Sequence, residues 1–158
     1  MFSIIIPTFN NLDYLKLCIK SIKKNSKFDH EIIVFINEGI DGTLEYVKEN
    51  NINFLHNINN IGLCKAMNEG VKISSKKYIV YAHDDMYFCP NWDTEFYNEI
   101  SKTKEKNFFL SGTMIQPFKS FIHLDCGKTI EEFDELKLLK EYDSISFEDF
   151  QGCTWAPS

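Results

Sequence analysis

Ser3-Ile4-Ile5-Ile6-Pro7-Thr8-Phe9-Asn10 sets a short β-branched apolar run directly before a proline and a string of small polar residues. A run that is apolar at every position, without alternation, is expected of a strand buried on both faces, and Pro7 is expected to stop it. Working outward, Leu12, Leu15, Ile19 and Ile22 recur at helical spacing behind Asn10 or Asn11, either of which can cap the helix. Glu31 to Ile36 reads as a second strand, broken by Gly39 and the Asp41-Gly42 turn signal. A short helix follows from Thr43, with Leu44 and Val47 inward, and Ile52 to Leu55 reads as a third strand. Asn60-Ile61-Gly62 opens a helix carrying Leu63, Ala66, Met67 and Val71, and Tyr78 to Ala82 reads as a fourth strand. Strands that alternate with helices in this way predict an α/β fold, a mostly parallel sheet with helices on both faces. Helix resumes near Asn91 with Trp92, Phe96 and Ile100 inward. Past Lys106 the rhythm weakens: residues 107–111 read as a fifth strand, 129–141 as a helix, and 147–158 have no period.

The 158 residues are 44 % apolar and 15 % aromatic, enough for one packed core and inconsistent with disorder, so a single domain over 1–158 is expected. The formal charge is −6, and the 17 basic residues are all lysine, with no basic block longer than Lys23-Lys24. A nucleic acid is not an expected partner. No apolar run approaches the length of a membrane span, and the N-terminus lacks the basic region and cleavage site of a signal peptide. Five scattered cysteines (18, 64, 89, 126 and 153) without a C-x-x-C pair suit reduced thiols and a cytoplasmic location, and give no zinc site.

In an open parallel sheet, ligands bind beyond the carboxyl ends of the strands, where the strand order reverses. The residues just past the strands are therefore the candidates: Pro7, Thr8, Phe9 and Asn10; Asn37 to Asp41; and His83-Asp84-Asp85. Adjacent carboxylates at the end of a buried strand repel each other and lose solvation. A divalent cation shared with an anionic ligand relieves both, and oxygen donors suit Mg²⁺ or Mn²⁺. Asp84-Asp85 are equally well read as turn and helix-cap residues.

Four motifs in one order resemble family 2 glycosyltransferases, which have the GT-A fold. They are Ser3 to Asn10 with Tyr14-Leu15; Glu31 to Val34 with Asn37 and Asp41-Gly42-Thr43; Asn60-Ile61-Gly62 with Ala66, Asn68 and Gly70; and Tyr78 to Asp85 with Pro90 downstream. The resemblance is close over residues 2 to 100, which it implies form the nucleotide-sugar-binding half, and loose beyond. It implies that Thr8 and Phe9 line the base and ribose, with Pro7, Asn10, Asn37 and Gly62 around them. Asp41 is implied near the base, Lys65 near the base or a phosphate, Asp84 near the ribose or metal, and Asp85 on Mn²⁺ or Mg²⁺ bridging the diphosphate. The implied activity is a metal-dependent inverting transfer of sugar from a nucleoside-diphosphate donor, UDP foremost, to a hydroxyl. The acceptor would be a glycan or a lipid-linked glycan of the cell surface, with peripheral association at the inner membrane face open to the full-length protein.

Two positions depart from the family pattern. The family usually carries an Asp directly after its second strand, where it bonds the base; here Ile36 stands at that position with Asn37 beside it. His83 stands where many relatives have the first Asp of the DxD motif, and can contact ribose, phosphate or metal, or sit as a hydrogen-bonded core-edge residue. An inverting transferase also needs a carboxylate to take the acceptor's proton. The resemblance implies that this base follows the acceptor-side strand, beyond Ser158. Gln151 to Trp155 resembles the entry to that region, and the spacing of Glu148 and Asp149 does not fit the base. A chain shortened on its acceptor side is the expectation. Phe108, Phe109, Phe118 and Phe121 read as core rather than a sugar platform, Trp155 as an acceptor-side candidate, Asp125-Cys126-Gly127 as a turn, and Cys64 and Cys153 as inert thiols unless they lie near the site. The alternative function is a non-catalytic nucleotide-binding or interaction module on a degenerate GT-A fold. A sugar-nucleotide pyrophosphorylase is disfavoured, because no arginine or phosphate-cradling loop follows the first strand.

Overall fold

The computed structural model describes residues 1–116 and 123–144 and divides into two compact units, Met1–Thr103 and Lys104–Ser158. The first unit runs β1 (Phe2–Phe9), α1 (Leu12–Asn25), β2 (Glu31–Asn37), α2 (Thr43–Glu49), β3 (Asn53–Asn57), α3 (Leu63–Lys72), β4 (Tyr78–Tyr81) and α4 (Trp92–Lys102). The four strands form one parallel sheet in the order β3-β2-β1-β4. The chain therefore steps outward from β1 to β2 and β3, then crosses back to place β4 on the other side of β1. That reversal puts the topological switch point between β1 and β4.

β1 does not stop at Pro7 but continues to Phe9, paired with β2 through Phe9↔Asn37. The proline is tolerated because of where its missing N–H would point. The Ile5 carbonyl accepts from Ala82 N at 3.1 Å on the β4 side, and main-chain groups two residues apart share a side. At Pro7 that side is already past the end of β4, so no ladder bond is lost. β3 begins one residue later than expected because Ile52 N turns back to Val47 O (2.9 Å) to close α2.

One face of the sheet, with Phe2, Ile4 and Ile6 of β1 and Val34 and Ile36 of β2, packs on Leu15, Cys18, Ile19 and Ile22 of α1 and Val47 of α2. Trp92, Phe96 and Ile100 of α4 pack against the same core, as their spacing predicts. The opposite face takes α3, which buries Ala66 and Gly70 one helical turn apart. A Cβ on Gly70 would stand 2.5 Å from Ile5 Cγ2, so the missing side chain sets the closeness of helix and strand. With only these small residues facing inward, Leu63 and Val71 are left 45 % and 42 % exposed.

The second unit differs more from expectation. No ladder forms at 107–111; Phe109 is 90 % exposed, so this run is not packed as core. Among the described residues the only pairing there is an isolated bridge, Gln116↔His123. The helix expected over 129–141 is α5, Glu135–Glu141, because Asp134 accepts from Lys137 N (2.9 Å) and caps it there. The Asp125-Cys126-Gly127 turn forms, with Asp125 Oδ1 accepting from Gly127 N at 3.1 Å. Phe118, Phe121, Glu148, Asp149 and Gln151 to Trp155, Cys153 included, lie outside the described residues.

Candidate functional site

At the carboxyl end of β1, Thr8 Oγ1 donates to Asp84 Oδ2 at 2.6 Å. Thr8 is buried at 2 % exposure and Asp84 follows β4, so one hydrogen bond spans the switch point. It closes the floor of a hollow of about 360 Å³ lined by Pro7, Thr8, Phe9, Asn10, Asn11, Asn37, Asn60, Gly62, Leu63, His83 and Asp84. Sequence reasoning named eight of these lining residues, and missed Asn11, Asn60 and Leu63 as lining. Asn11 and Leu63 were signalled only by adjacency to Asn10 and Gly62, and Asn60 by its place in the Asn60-Ile61-Gly62 motif. Phe9 is 48 % exposed, an aromatic face left open at the cleft.

The loops around the hollow are tied to one another by amide side chains. Asn10 Oδ1 accepts from Gly39 N (3.1 Å) and Ile40 N (3.0 Å), and its Nδ2 donates to Glu38 Oε2 (3.2 Å). Asn10 and Glu38 both hold left-handed backbone, with φ of 48° and 62°, a conformation that such clamps stabilise where glycine is absent. Asn37 Oδ1 accepts from Ile61 N (3.0 Å) and Asn60 Oδ1 from Gly62 N (2.9 Å), fixing the approach to α3. Ile36, at the position where an acid was expected, is 0 % exposed and belongs to the core. Asn37, the last residue of β2, is the one that reaches the cleft.

Asp41 lies outside the hollow's lining. Its carboxylate accepts from Leu12 N (2.8 Å) at the start of α1, and from Thr43 N (3.2 Å) and Thr43 Oγ1 (2.7 Å) at the start of α2. Neither helix has a side-chain cap from its own N-cap residue, Asn11 or Gly42, so Asp41 serves both. Burial raises the Asp41 pKa, but the Thr43 and Leu12 donors outweigh it and hold the carboxyl below its usual range. Lys65, in the exposed first turn of α3, also stands outside the lining.

His83 lies on the cleft wall with Nε2 2.7 Å from the Tyr81 hydroxyl. Burial, then Cys64 and the two carboxylates, raise the Tyr81 pKa, so this hydroxyl keeps its proton. Beneath, Cys18 donates to the His83 carbonyl at 3.5 Å, and burial with the charge of Asp84 and Asp85 pushes its thiol far up. Cys18 is thus an inert prop. Cys64, by contrast, is exposed at the start of α3.

Asp84 is half-buried with Oδ2 engaged by Thr8, and Asp85 is exposed beside it. No group of three or more His, Cys, Asp or Glu side chains converges on one point among the described residues. Among the described residues there is therefore no complete metal cage, but the carboxylates of Asp84, on the lining, and of Asp85, next to it in the chain and outside the lining, are hard oxygen donors that fit Mg²⁺ or Mn²⁺, which take one or two carboxylates and complete their shell from phosphate and water. Among the described residues no helix is long and apolar enough to cross a membrane.

The family model described as Glycosyl transferase family 2 matches residues 3–151. A dolichyl N-acetyl-alpha-D-glucosaminyl phosphate 3-beta-D-2,3-diacetamido-2,3-dideoxy-beta-D-glucuronosyltransferase of Methanococcus voltae is 30 % identical over 118 residues, 66 % of this chain and 36 % of that protein. A poly(ribitol-phosphate) beta-glucosyltransferase of Bacillus spizizenii is 27 % identical over 116 residues, 68 % of this chain and 18 % of that protein. Among solved structures, S. aureus TarS 1-349 in complex with UDP aligns with a TM-score of 0.58 at 23 % identity, covering 64 % of this chain and 32 % of that one. The TarS likeness shows the GT-A architecture. The matched part of the chain spans about a third or less of the length of these relatives.

Proposed function

Because the chain belongs to glycosyl transferase family 2, we propose that the cleft between β1 and β4 holds a nucleoside-diphosphate sugar for inverting transfer to a hydroxyl. The observation that carries this is the Thr8–Asp84 bond, which sets a carboxylate and a neighbouring acid at the switch point beside an open aromatic face. In the reaction, the acceptor oxygen forms a bond to the anomeric carbon, and the bond from that carbon to the β-phosphate oxygen breaks. The nucleoside diphosphate leaves with the electron pair, and the hydroxyl proton passes to a carboxylate base. Among the described residues Asp84 is the one carboxylate lining the hollow, and its Oδ2 is taken by Thr8, so the base comes from elsewhere in the protein. Asp84 and Asp85 would hold Mn²⁺ or Mg²⁺, which when bound supplies the Lewis acidity that neutralises charge on the departing diphosphate. Thr8 keeps the Asp84 carboxylate oriented for that role, and Phe9 offers a stacking surface to the base.

These 158 residues contain no arginine, so within them a diphosphate would rely on a metal, lysine and backbone amides rather than on a guanidinium, which supports the metal role. The relatives whose names mention a dolichyl phosphate sugar and poly(ribitol-phosphate) support a glycan or lipid-linked acceptor, which we read as a step of cell-surface synthesis. A binding module that has lost turnover is the second reading, favoured by Ile36 in the core where an acid was expected. The test is calorimetric titration with UDP, GDP and dTDP, each with Mn²⁺ and with chelator. Metal-dependent binding of at least one nucleotide is expected. Equal affinity with and without metal refutes the metal role, and no binding at all refutes the donor site.

A further inference from the structure

His83 stands on the cleft wall with one ring nitrogen committed and one open. Its backbone is anchored on both sides. Ala82 before it is fully buried and donates to Ile5 O at 3.1 Å, and the His83 carbonyl accepts from the Cys18 thiol at 3.5 Å. Tyr81 and His83, on either side of Ala82, bring their rings to 4.8 Å at an angle of 47°. The Tyr81 hydroxyl lies 2.7 Å from His83 Nε2 and has no other partner among the described residues. A phenol has one proton to give, and burial of Tyr81, then Cys64 and the two carboxylates, keep that proton on the oxygen. Donated to Nε2, it makes Nε2 the acceptor nitrogen, so the neutral ring carries its own proton on Nδ1. Among the described residues Nδ1 has no hydrogen-bond partner, and His83 lines the hollow.

We propose that Tyr81 is a positioning residue of this cleft: its hydroxyl holds the His83 ring with the proton on Nδ1, and that N–H donates to an oxygen of the bound diphosphate. The inference rests on the nucleotide-sugar reading of the cleft. Nδ1–H can only donate and an ionised phosphate oxygen can only accept, so the two match. The other tautomer would turn a lone pair toward an anion. An uncharged donor directly before Asp84 also leaves the carboxylates free for the cation, where an ammonium or guanidinium in that place would pair with them. Tyr81 is 40 % exposed, so the value of its hydroxyl lies in what it does to His83 rather than in packing.

The tautomer is read first, in the nucleotide-free chain, by long-range proton–nitrogen correlation of the histidine rings at a pH where they are neutral. Wild-type His83 is expected to carry its proton on Nδ1. Tyr81→Phe keeps the aromatic ring and removes only the hydroxyl, and is expected to move the proton to Nε2. Affinity is then measured by calorimetry in Mn²⁺ with UDP, GDP or dTDP, whichever binds, and with the matching nucleoside. Tyr81→Phe is expected to weaken the diphosphate about three- to tenfold and to leave the nucleoside unchanged. In a His83→Ala background the same substitution is expected to cost nothing, because its effect runs through the imidazole. Three results would each overturn the inference and leave the donor site standing: a wild-type proton on Nε2, a diphosphate affinity unchanged in Tyr81→Phe, or a penalty that persists without His83 or falls equally on the nucleoside. Wild-type protein that binds none of the three nucleotides overturns the donor site and this inference together.

Discussion

Replacing Asp41 separates a structural role from a ligand-contacting one. The carboxylate joins the first amide of α1, through Leu12 N, to the first amide and hydroxyl of α2 at Thr43. Asp41→Ala removes the side-chain acceptor from two helix N-termini at once, about 1 kcal/mol for each cap. It also strands the Thr43 hydroxyl, which is 0 % exposed, at a further cost of about 1–3 kcal/mol. The sum is a loss of roughly 3–5 kcal/mol, tempered by any water that reaches the loop. Asp41→Asn keeps one accepting oxygen, enough for one helix, and is expected to lose about half as much. Urea unfolding followed by far-ultraviolet circular dichroism measures both, with the order wild type, Asn, Ala in midpoint. Nucleotide affinity, measured on the fraction that remains folded, is expected to stay within about threefold, well inside the tenfold that 1.4 kcal/mol would produce. An Ala variant with an unchanged midpoint and a tenfold weaker nucleotide would refute the capping account and place Asp41 on the ligand.

Gly70→Ala forces a methyl to within 2.5 Å of Ile5 Cγ2 and should destabilise the first unit by about 1–3 kcal/mol in the same unfolding assay; no loss would mean that α3 can lift from the sheet freely. Asp85→Ala is expected to abolish most of the gain in nucleotide affinity from Mn²⁺ with an unchanged melting temperature, since the residue is exposed; a retained metal effect would remove Asp85 from the proposed metal site. Acid lability is expected from the buried pair beneath α4. His30 Nε2 lies 3.0 Å from Asp93 Oδ2, and His30 Nδ1 accepts from Phe2 N, so the ring is neutral with its proton on Nε2. Burial lowers the His30 pKa against the opposing pull of Asp93, while Asp93 lies below its usual range because the Phe28, His30 and Lys27 donors outweigh its own burial. Both groups bind fewer protons folded than unfolded, so stability is full above pH 6.5, declines as the pH falls below it, and declines again below 3.8. A flat unfolding midpoint between pH 7.5 and 5 would contradict the pair's role.

The sheet was legible because its strands are unbroken apolar runs separated by glycine and Asp-Gly punctuation, and the cleft followed from where those runs end. Pro7 misled because local chemistry forbids a ladder bond at proline without saying whether a neighbour is there to need one; β4 has already ended at that point. Asp41 was placed by motif at the ligand, while its partner Leu12 lies 29 residues away, a contact that no local pattern encodes. The run at 107–111 has strand composition, but Phe109 stays exposed, and β-propensity without a surface to pack on does not make a strand. The orientation of Asn37 was illegible for a similar reason: the residue could be read as donor or acceptor until Ile61 N claimed its oxygen.

The central claim is the location of the donor site, and nuclear magnetic resonance of the isotopically labelled chain tests it directly. With UDP and substoichiometric Mn²⁺, paramagnetic broadening is expected at the amides of Thr8 to Asn11, Gly62 to Leu63 and His83 to Asp85. The hollow of about 350 Å³ elsewhere in the first unit, lined by Lys23, Asp29, His30 and Asn51 to Asn53 among others, should keep sharp signals. Broadening centred on Lys23 and Asn51 to Asn53, with Thr8 and Asp84 untouched, would contradict the account.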